Sequence, residues 1–193
     1  MPLAPWRSPL ARALHLNRSL IYARYVQLAT VRTDGRPANR TVVFRGFLDS
    51  TNQLKFITDD RSEKIEQLTA QPWAEVCWYF PKSREQFRLL GQLRAVGANG
   101  PEPWLKARQT QWQDLSDAAR LQFAWAAPKQ PRAEASAFHP SPPDPIQPLP
   151  NFCLLLLDPV QVDHLELRGD PQNRNLYIYN PEQQNWQIEA INP

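Results

Sequence analysis

Hydrophobic and polar positions along the chain follow two periods, and each change of period marks an element. Near the start, "RSPLARALHLNRSL" sets Leu10, Ala13 and Leu14 at helical spacing, with Arg12 and His15 off that stripe. This predicts a short helix with Ser8 as its cap, Pro9 at the first helical position and His15 on its surface. "YVQLATVRTDGRPANRTVVFRGFLDSTNQLKFIT" reads as three strands, over residues 25–32, 38–47 and 54–58. The Asp-Gly pair of "TDGRP" favours a tight turn, and "DSTNQ" makes the next, so the three form an antiparallel meander. In "DDRSEKIEQLTAQP" the period turns helical, with Ile65, Leu68 and Thr69 on one side. Asp60 and Glu63 have capping-box spacing, and Pro72 ends the helix.

"WAEVCWYF" predicts a fourth strand. "REQFRLLGQLRAVG" predicts a long fifth, with Gln86, Arg88 and Leu90 on one face and Phe87, Leu89 and Gly91 on the other. "PEPWLKARQTQWQDLSDAARLQFAW" is helical in two segments broken near Asp114. Residues 127–150 are rich in proline, which removes donors and fixes the backbone, so they predict an extended or partly disordered loop. "NFCLLLLDPVQVDHLEL" returns to strand with a bulge or corner at Asp158-Pro159, and a closing hairpin follows with Asn180-Pro181 near its turn. No crossover helices separate the strands, which excludes a parallel doubly wound sheet. The expectation is a mainly antiparallel β protein, its six to eight strands closed into a barrel to remove their edges, with a few flanking helices.

The 193 residues suit one domain, taken here as 1–193 with the proline-rich loop inside it. Hydrophobic residues are 42% and charged residues 21%, ordinary for a globular protein. The net charge of +3 comes from scattered Lys and Arg, without the stripe that nucleic acid needs. The first residues lack a secretory signal's apolar core, and no run reaches the roughly 18 apolar residues of a membrane helix. A cytoplasmic protein is expected, and Cys77 and Cys153, both in apolar runs, are read as free thiols. The three histidines, His15, His139 and His164, lie in different elements, so no metal site is expected. Six glycines leave no phosphate-binding fingerprint.

The cations around the meander are more informative. "RTVVFR" brackets an apolar strand with Arg40 and Arg45. Lys64 falls in the first turn of the next helix, with Thr58 and Ser62 close by. A helix start offers unpaired amides and partial positive charge, so Arg40, Thr58, Ser62 and Lys64 are a candidate phosphate site. The alternative is a solvated Lys64, an Arg40 paired with an acid and a capping Ser62. Residues 40 and 45 differ by an odd number, so an ideal strand points them to opposite faces.

In order, "QLATVRTDGRPANRTVVFRGF", "LKFITDDRSEKIEQLTAQPWAEVCWYF", "REQFRLLGQL" and "NRNLYIYNPEQQNWQIEAINP" resemble the pyridoxamine 5'-phosphate oxidase family, in a divergent cyanobacterial and plant-like form. The resemblance runs from about residue 25 to the C-terminus, apart from the proline-rich loop. It implies a split β-barrel, the cofactor flavin mononucleotide (FMN), and a homodimer with FMN between the subunits. It implies a flavoprotein oxidoreductase acting on a small molecule. Arg40 and Lys64 would hold the FMN phosphate, with Thr58 and Ser62. Val42, Val43 and Arg45 would line the ring, Arg45 being the catalytic candidate. Ile57 stands where the family has Tyr. Gln86 and Gln130 would contact FMN, and Arg174 would reach it from the second subunit.

Some positions depart from the family pattern. Glu63 replaces a basic residue, Leu165 replaces a flavin-side Trp, and Asp170, Pro171 and Gln172 replace the R-L-H stretch of the vitamin B6 enzyme. The segment with Arg108 and Arg120 lacks the family's spacing for gripping a substrate phosphate. The alternative reading is a non-catalytic FMN or haem carrier or sensor, with His164 as the haem ligand; a third is an anion-binding barrel without flavin.

Overall fold

The computed structural model describes residues 3–193. Eight strands form one sheet in which every paired neighbour is antiparallel. They are β1 (Tyr25–Val31), β2 (Pro37–Val43), β3 (Leu54–Asp59), β4 (Trp73–Phe80), β5 (Glu85–Val96), β6 (Phe152–Glu166), β7 (Asn173–Asn180) and β8 (Asn185–Ala190). Four helices flank them: α1 (Arg7–Asn17), α2 (Glu63–Ala70), α3 (Glu102–Gln113) and α4 (Asp117–Leu121). The strand order is β2-β1-β4-β5-β6-β7-β8, with β3 off this path on β6, so the expected three-strand meander stops at β1–β2. The turn at Gly46 carries the chain off the sheet edge, and β3 meets it by an isolated Phe47–Leu54 bridge and pairs along β6 instead.

The long strand β6 divides the barrel. β5 follows one of its edges along Leu154–Glu166. The other edge is shared, β3 taking Phe152–Leu157 and β7 taking Gln161–Glu166. The changeover falls at Asp158-Pro159, where proline has no N–H to give a ladder. There the β5–β6 register shifts between Leu90 and Gly91. A Cβ at Gly91 would lie 2.1 Å from the Asp158 carbonyl oxygen, so the close approach requires glycine. The expected bulge is therefore the point at which the barrel splits.

Alternation buries one face of this sheet. Val26, Leu28, Phe56, Val76, Trp78, Phe87 and Leu89 form the main core, joined by Trp6, just before α1, and Leu10 on it. The Trp78 indole donates to the Ala23 carbonyl at 2.9 Å, which satisfies a buried N–H. A second core of Trp112, Leu115, Phe123 and Phe152 sits under α3 and α4. Both cysteines are free, as read from the sequence. Among the described residues no helix is long and apolar enough to cross a membrane.

The boundaries teach more than the elements. α1 starts at Arg7, with Trp6 before it and no side-chain cap, so Ser8 and Pro9 lie inside the first turn. Proline is tolerated there because first-turn amides have no intrahelical acceptor. β2 ends at Val43, short of the expected residue 47. Beyond it, the Arg45 N–H donates to the Lys55 carbonyl at 2.9 Å and Gly46 adopts φ +100°, so the chain leaves β1 and turns toward β3. The Asp60–Glu63 capping box does not form: Ser62 is the N-cap, without a side-chain capping bond. Glu63 instead meets Lys129. The proline-rich segment is irregular apart from one 3-10 turn, Ala135–Phe138. It is tied down by its carbonyls, Asp144 accepting from Trp112 and Leu149 from Arg108.

Candidate functional site

β2, the end of β3 and the first turn of α2 bring four of the predicted residues together. Lys64 Nζ lies 2.9 Å from Thr58 Oγ1 and 3.4 Å from Ser62 Oγ, and the two hydroxyls are 3.2 Å apart. Arg40 reaches the same end of the barrel on the inner face of β2. Its guanidinium donates to the Leu28 carbonyl, to Thr30 Oγ1 at 2.6 Å and to Gln67 Oε1 at 3.1 Å. Gln67 is buried and also accepts from Thr30 Oγ1 at 2.6 Å, so it fixes Arg40 in place. Gln67 was missed in the sequence; the available signal was a polar residue next to Leu68 on the buried side of α2.

The electrostatics of this cluster are set by two cations held close together. Burial depresses the Lys64 ammonium pKa, and the Arg40 charge depresses it further. Arg40 is likewise lowered, chiefly by burial. Among the described residues neither cation has a carboxylate partner within ion-pair distance. Two half-buried like charges repel unless an anion lies between them. Glu63, the nearby carboxylate, is drawn off to Lys129. The donors present, two cations, two hydroxyls and the start of α2, fit a phosphate group.

Arg45 does not join this cluster. It lies beyond the end of β2, where the chain turns toward β3, and burial and the Arg24 charge both oppose its own. Val42 is half-buried on the inner side and packs against the core, while Val43 faces outward opposite Tyr25. Ile57 packs on the second core.

Gln86 and Arg174 lie on the outer face. Val43 pairs with Tyr25, Tyr79 with Gln86, Gln86 with Leu165, and Leu165 with Arg174. Continuing the β1–β4 ladder two residues past Gln27–Cys77 sets Tyr25 beside Tyr79. One row thus crosses the outer sheet face from Val43 to Arg174, with Tyr25 44% and Tyr79 48% exposed. Asp163, another residue missed in the sequence, orients this end. It accepts from Arg174 Nε and a terminal nitrogen at 3.0 and 2.8 Å, and from Arg88. Burial would raise the Asp163 carboxyl; the hydrogen bonds from Arg174 and Arg88 outweigh it and hold its pKa below the usual range.

Gln130 is exposed on the wall of an open cavity of about 650 Å³, lined also by Trp125, Lys129 and Phe138. The Lys129–Glu63 contact ties that wall to the first turn of α2. His164 is buried, stacked on Phe87 at 4.1 Å, with Nε2 2.9 Å from Glu85. Arg12 donates to both Glu85 and Glu166, so one guanidinium offsets part of the charge of the two carboxylates beside this histidine. Nothing in that arrangement presents His164 to a haem.

A family model described as "Pyridoxamine 5'-phosphate oxidase, FMN-binding domain" matches residues 3–97. Pyridoxine/pyridoxamine 5'-phosphate oxidase 2 of Arabidopsis thaliana is 38% identical over 197 residues, covering 99% of this chain and 98% of that one. The chain belongs to the pyridoxamine 5'-phosphate oxidase family. Its cofactor is FMN. A pyridoxamine 5'-phosphate oxidase-related, FMN-binding protein from Nostoc punctiforme PCC 73102 is 66% identical, covers 100% of each chain and superposes with a TM-score of 0.97. PhzG from Burkholderia lata 383 shares the family's split-barrel fold at 20% identity, with a TM-score of 0.78 over 100% of this chain and 94% of its own.

Proposed function

We propose that the chain is an FMN-dependent oxidoreductase, one domain throughout, that acts on a small molecule as a homodimer with FMN between the subunits. The observation that carries this reading is the Arg40–Lys64 pair, two half-buried cations close enough to oppose each other's charge. Lys64 lies on the hydroxyls of Thr58 and Ser62 and Arg40 on Thr30 and Gln67, neither with a carboxylate partner among the described residues. When bound, FMN supplies two-electron redox chemistry. The protein's part is to bind, orient and exclude water. Arg40, Lys64, Thr58 and Ser62 hold the phosphate, and Gln67 keeps Arg40 aligned. Gln130 closes the phosphate side, fixed by the Lys129–Glu63 contact. Val42, Val43 and Arg45 line the ring, and Ile57 leaves an apolar wall beside Thr58.

Gln86 and Arg174 complete the site from a second copy. Thr58 pairs with Cys153, whereas the Gln86–Arg174 row crosses β6 at Leu165. Those twelve residues cover up to roughly 40 Å along β6, with the Asp158-Pro159 corner between them. One small ligand does not bridge that length within a subunit. The half-buried outer row, with its exposed Tyr25 and Tyr79, supplies the face on which two copies meet.

The first test is the visible spectrum of the purified protein and the identity of any chromophore released on denaturation. Released FMN is the expected result; a protein that is colourless and takes up no added FMN sinks the reading. Subunit sharing has its own test. Lys64→Ala and Arg174→Ala proteins should each lose FMN, and mixed, re-equilibrated subunits should regain about one site in four. No recovery in the mixture would place both residues at the same subunit's site.

A further inference from the structure

Two acids act on the Lys64 charge, Glu63 and Asp59, and other side chains hold both of them. Asp59 accepts from Arg61 Nε and from Asn151 Nδ2, each at 2.8 Å. Glu63 accepts from Lys129 Nζ at 2.5 Å. Lys129 comes from the proline-rich segment, 66 residues further along the chain, and adopts φ +62° there. That left-handed backbone is uncommon for a residue with a side chain.

Stability does not account for the Lys129–Glu63 contact. The Lys129 side chain is 68% exposed and that of Glu63 39%, and a pair so exposed adds little to folding. Glu63 has its own reason to stand in the first turn of α2, where an acid complements unpaired amides. Those amides, with Arg40 and Lys64, are what a phosphate would use. Glu63 is therefore a competitor for the anion's place. Its charge acts on both Arg40 and Lys64, yet among the described residues it is within ion-pair distance of neither. The hydrogen bond from Lys129 does most to hold its carboxyl below the usual range, with the charges of Arg32 and Arg40 adding to it. A Glu63 released by Lys129 is left with those two arginines and Lys64 as its counter-charges.

We propose that Lys129 is a positioning residue for the cofactor phosphate: it engages the Glu63 carboxylate and so keeps that charge from pairing with Arg40 and Lys64. Seating of the proline-rich segment and binding of the anion are then coupled, each favouring the other. This role rests on the reading of Arg40 and Lys64 as the phosphate site.

Titration of flavin-free protein with FMN, followed by flavin fluorescence, tests it in four variants. Lys129→Ala leaves Glu63 free and should bind FMN about three- to tenfold more weakly than the parent. Glu63→Gln breaks the same contact but removes the charge, so it should bind more tightly than Lys129→Ala by a similar factor. The double variant Lys129→Ala/Glu63→Gln should match Glu63→Gln within about twofold, and Lys129→Arg should keep most of the parent's affinity. The gap between Lys129→Ala and Glu63→Gln should narrow at about 1 M salt. Three results overturn the proposal. Lys129→Ala binding like the parent would leave Lys129 no part in binding. Equal losses in Lys129→Ala and Glu63→Gln would make the contact a tie for Gln130 and nothing more. A double variant as weak as Lys129→Ala would make Lys129 itself a phosphate ligand. A parent that takes up no FMN removes the flavin reading instead. The same order of variants toward inorganic phosphate would then uphold the role of Lys129, and the absence of that order would overturn it.

Discussion

Arg108 and Lys64 sit on neighbouring parts of the barrel and teach opposite lessons about buried charge. Arg108 is almost wholly buried, and its donors end on the carbonyls of Phe152 and Leu149. It ties the end of the proline-rich loop to α3 and β6. Lys64 reaches only hydroxyls and faces Arg40. The first cation is satisfied by the fold and stabilises it. The second has hydroxyls but no neutralising group, and the fold sets another cation beside it. Both are cations taken out of water, and their partners separate them.

Lys64→Ala should break this contrast most visibly. FMN affinity should fall about a hundredfold, from the loss of a charged hydrogen bond to phosphate, as followed by flavin fluorescence. The FMN-free variant should be no less stable to urea than its parent, since a repelling charge is gone. The pH dependence has a defined sign. Lys64 binds its proton less tightly folded than unfolded, so in FMN-free protein its contribution to stability rises with pH toward its ordinary value of 10.5. Lys64→Met should flatten that part of the profile.

Arg108→Ala should act in the other direction. Leaving two buried carbonyls unpaired should cost about 2–3 kcal/mol of unfolding free energy, measured in urea. FMN bound per folded molecule should not change. Loss of FMN without loss of stability would erase the distinction drawn here.

Asp163→Asn extends the comparison to the outer face and should cost about 1–2 kcal/mol at neutral pH. The Asp163 pKa is lowered on folding, so its stabilisation is present above the unfolded value near 4 and is lost as pH falls through the folded one. The gap between parent and variant should therefore close in acid. A gap that persisted at low pH would mean that packing, not charge, orients Arg88 and Arg174. The smallest effect belongs to Cys153, whose thiol burial pushes up to about 11. It should resist iodoacetamide at neutral pH until the chain unfolds; rapid labelling of the native protein would show that the Thr58–Cys153 end opens.

Much of this fold was legible in order and period. Alternation and turn residues place the strands, and the Asp158-Pro159 corner marks the division of the barrel because proline cannot donate to a ladder. The grouping of Arg40, Thr58, Ser62 and Lys64 was legible too, since the end of β3 and the start of α2 carry three of them within seven residues and Arg40 sits on the strand before. Helix caps were less legible. Asp60 and Glu63 have capping-box spacing, but Lys129, more than sixty residues away in sequence, competes for Glu63 and wins. Gln67 and Asp163 were not legible, because their partners come from other strands.

By itself the sequence determined the succession of antiparallel strands, the candidate phosphate-site residue types and the family, because periodicity and short-range spacing act locally along the chain. The sheet order, with β1 on β4 and β3 on β6, was decided by tertiary pairing. Only the tertiary structure decided which charges are satisfied. Arg40, Arg45, Arg108, Arg120 and Arg174 are the same side chain in the sequence. The fold gives four of them acceptors and leaves Arg45 without one, because pairing a guanidinium depends on groups that other elements carry into reach.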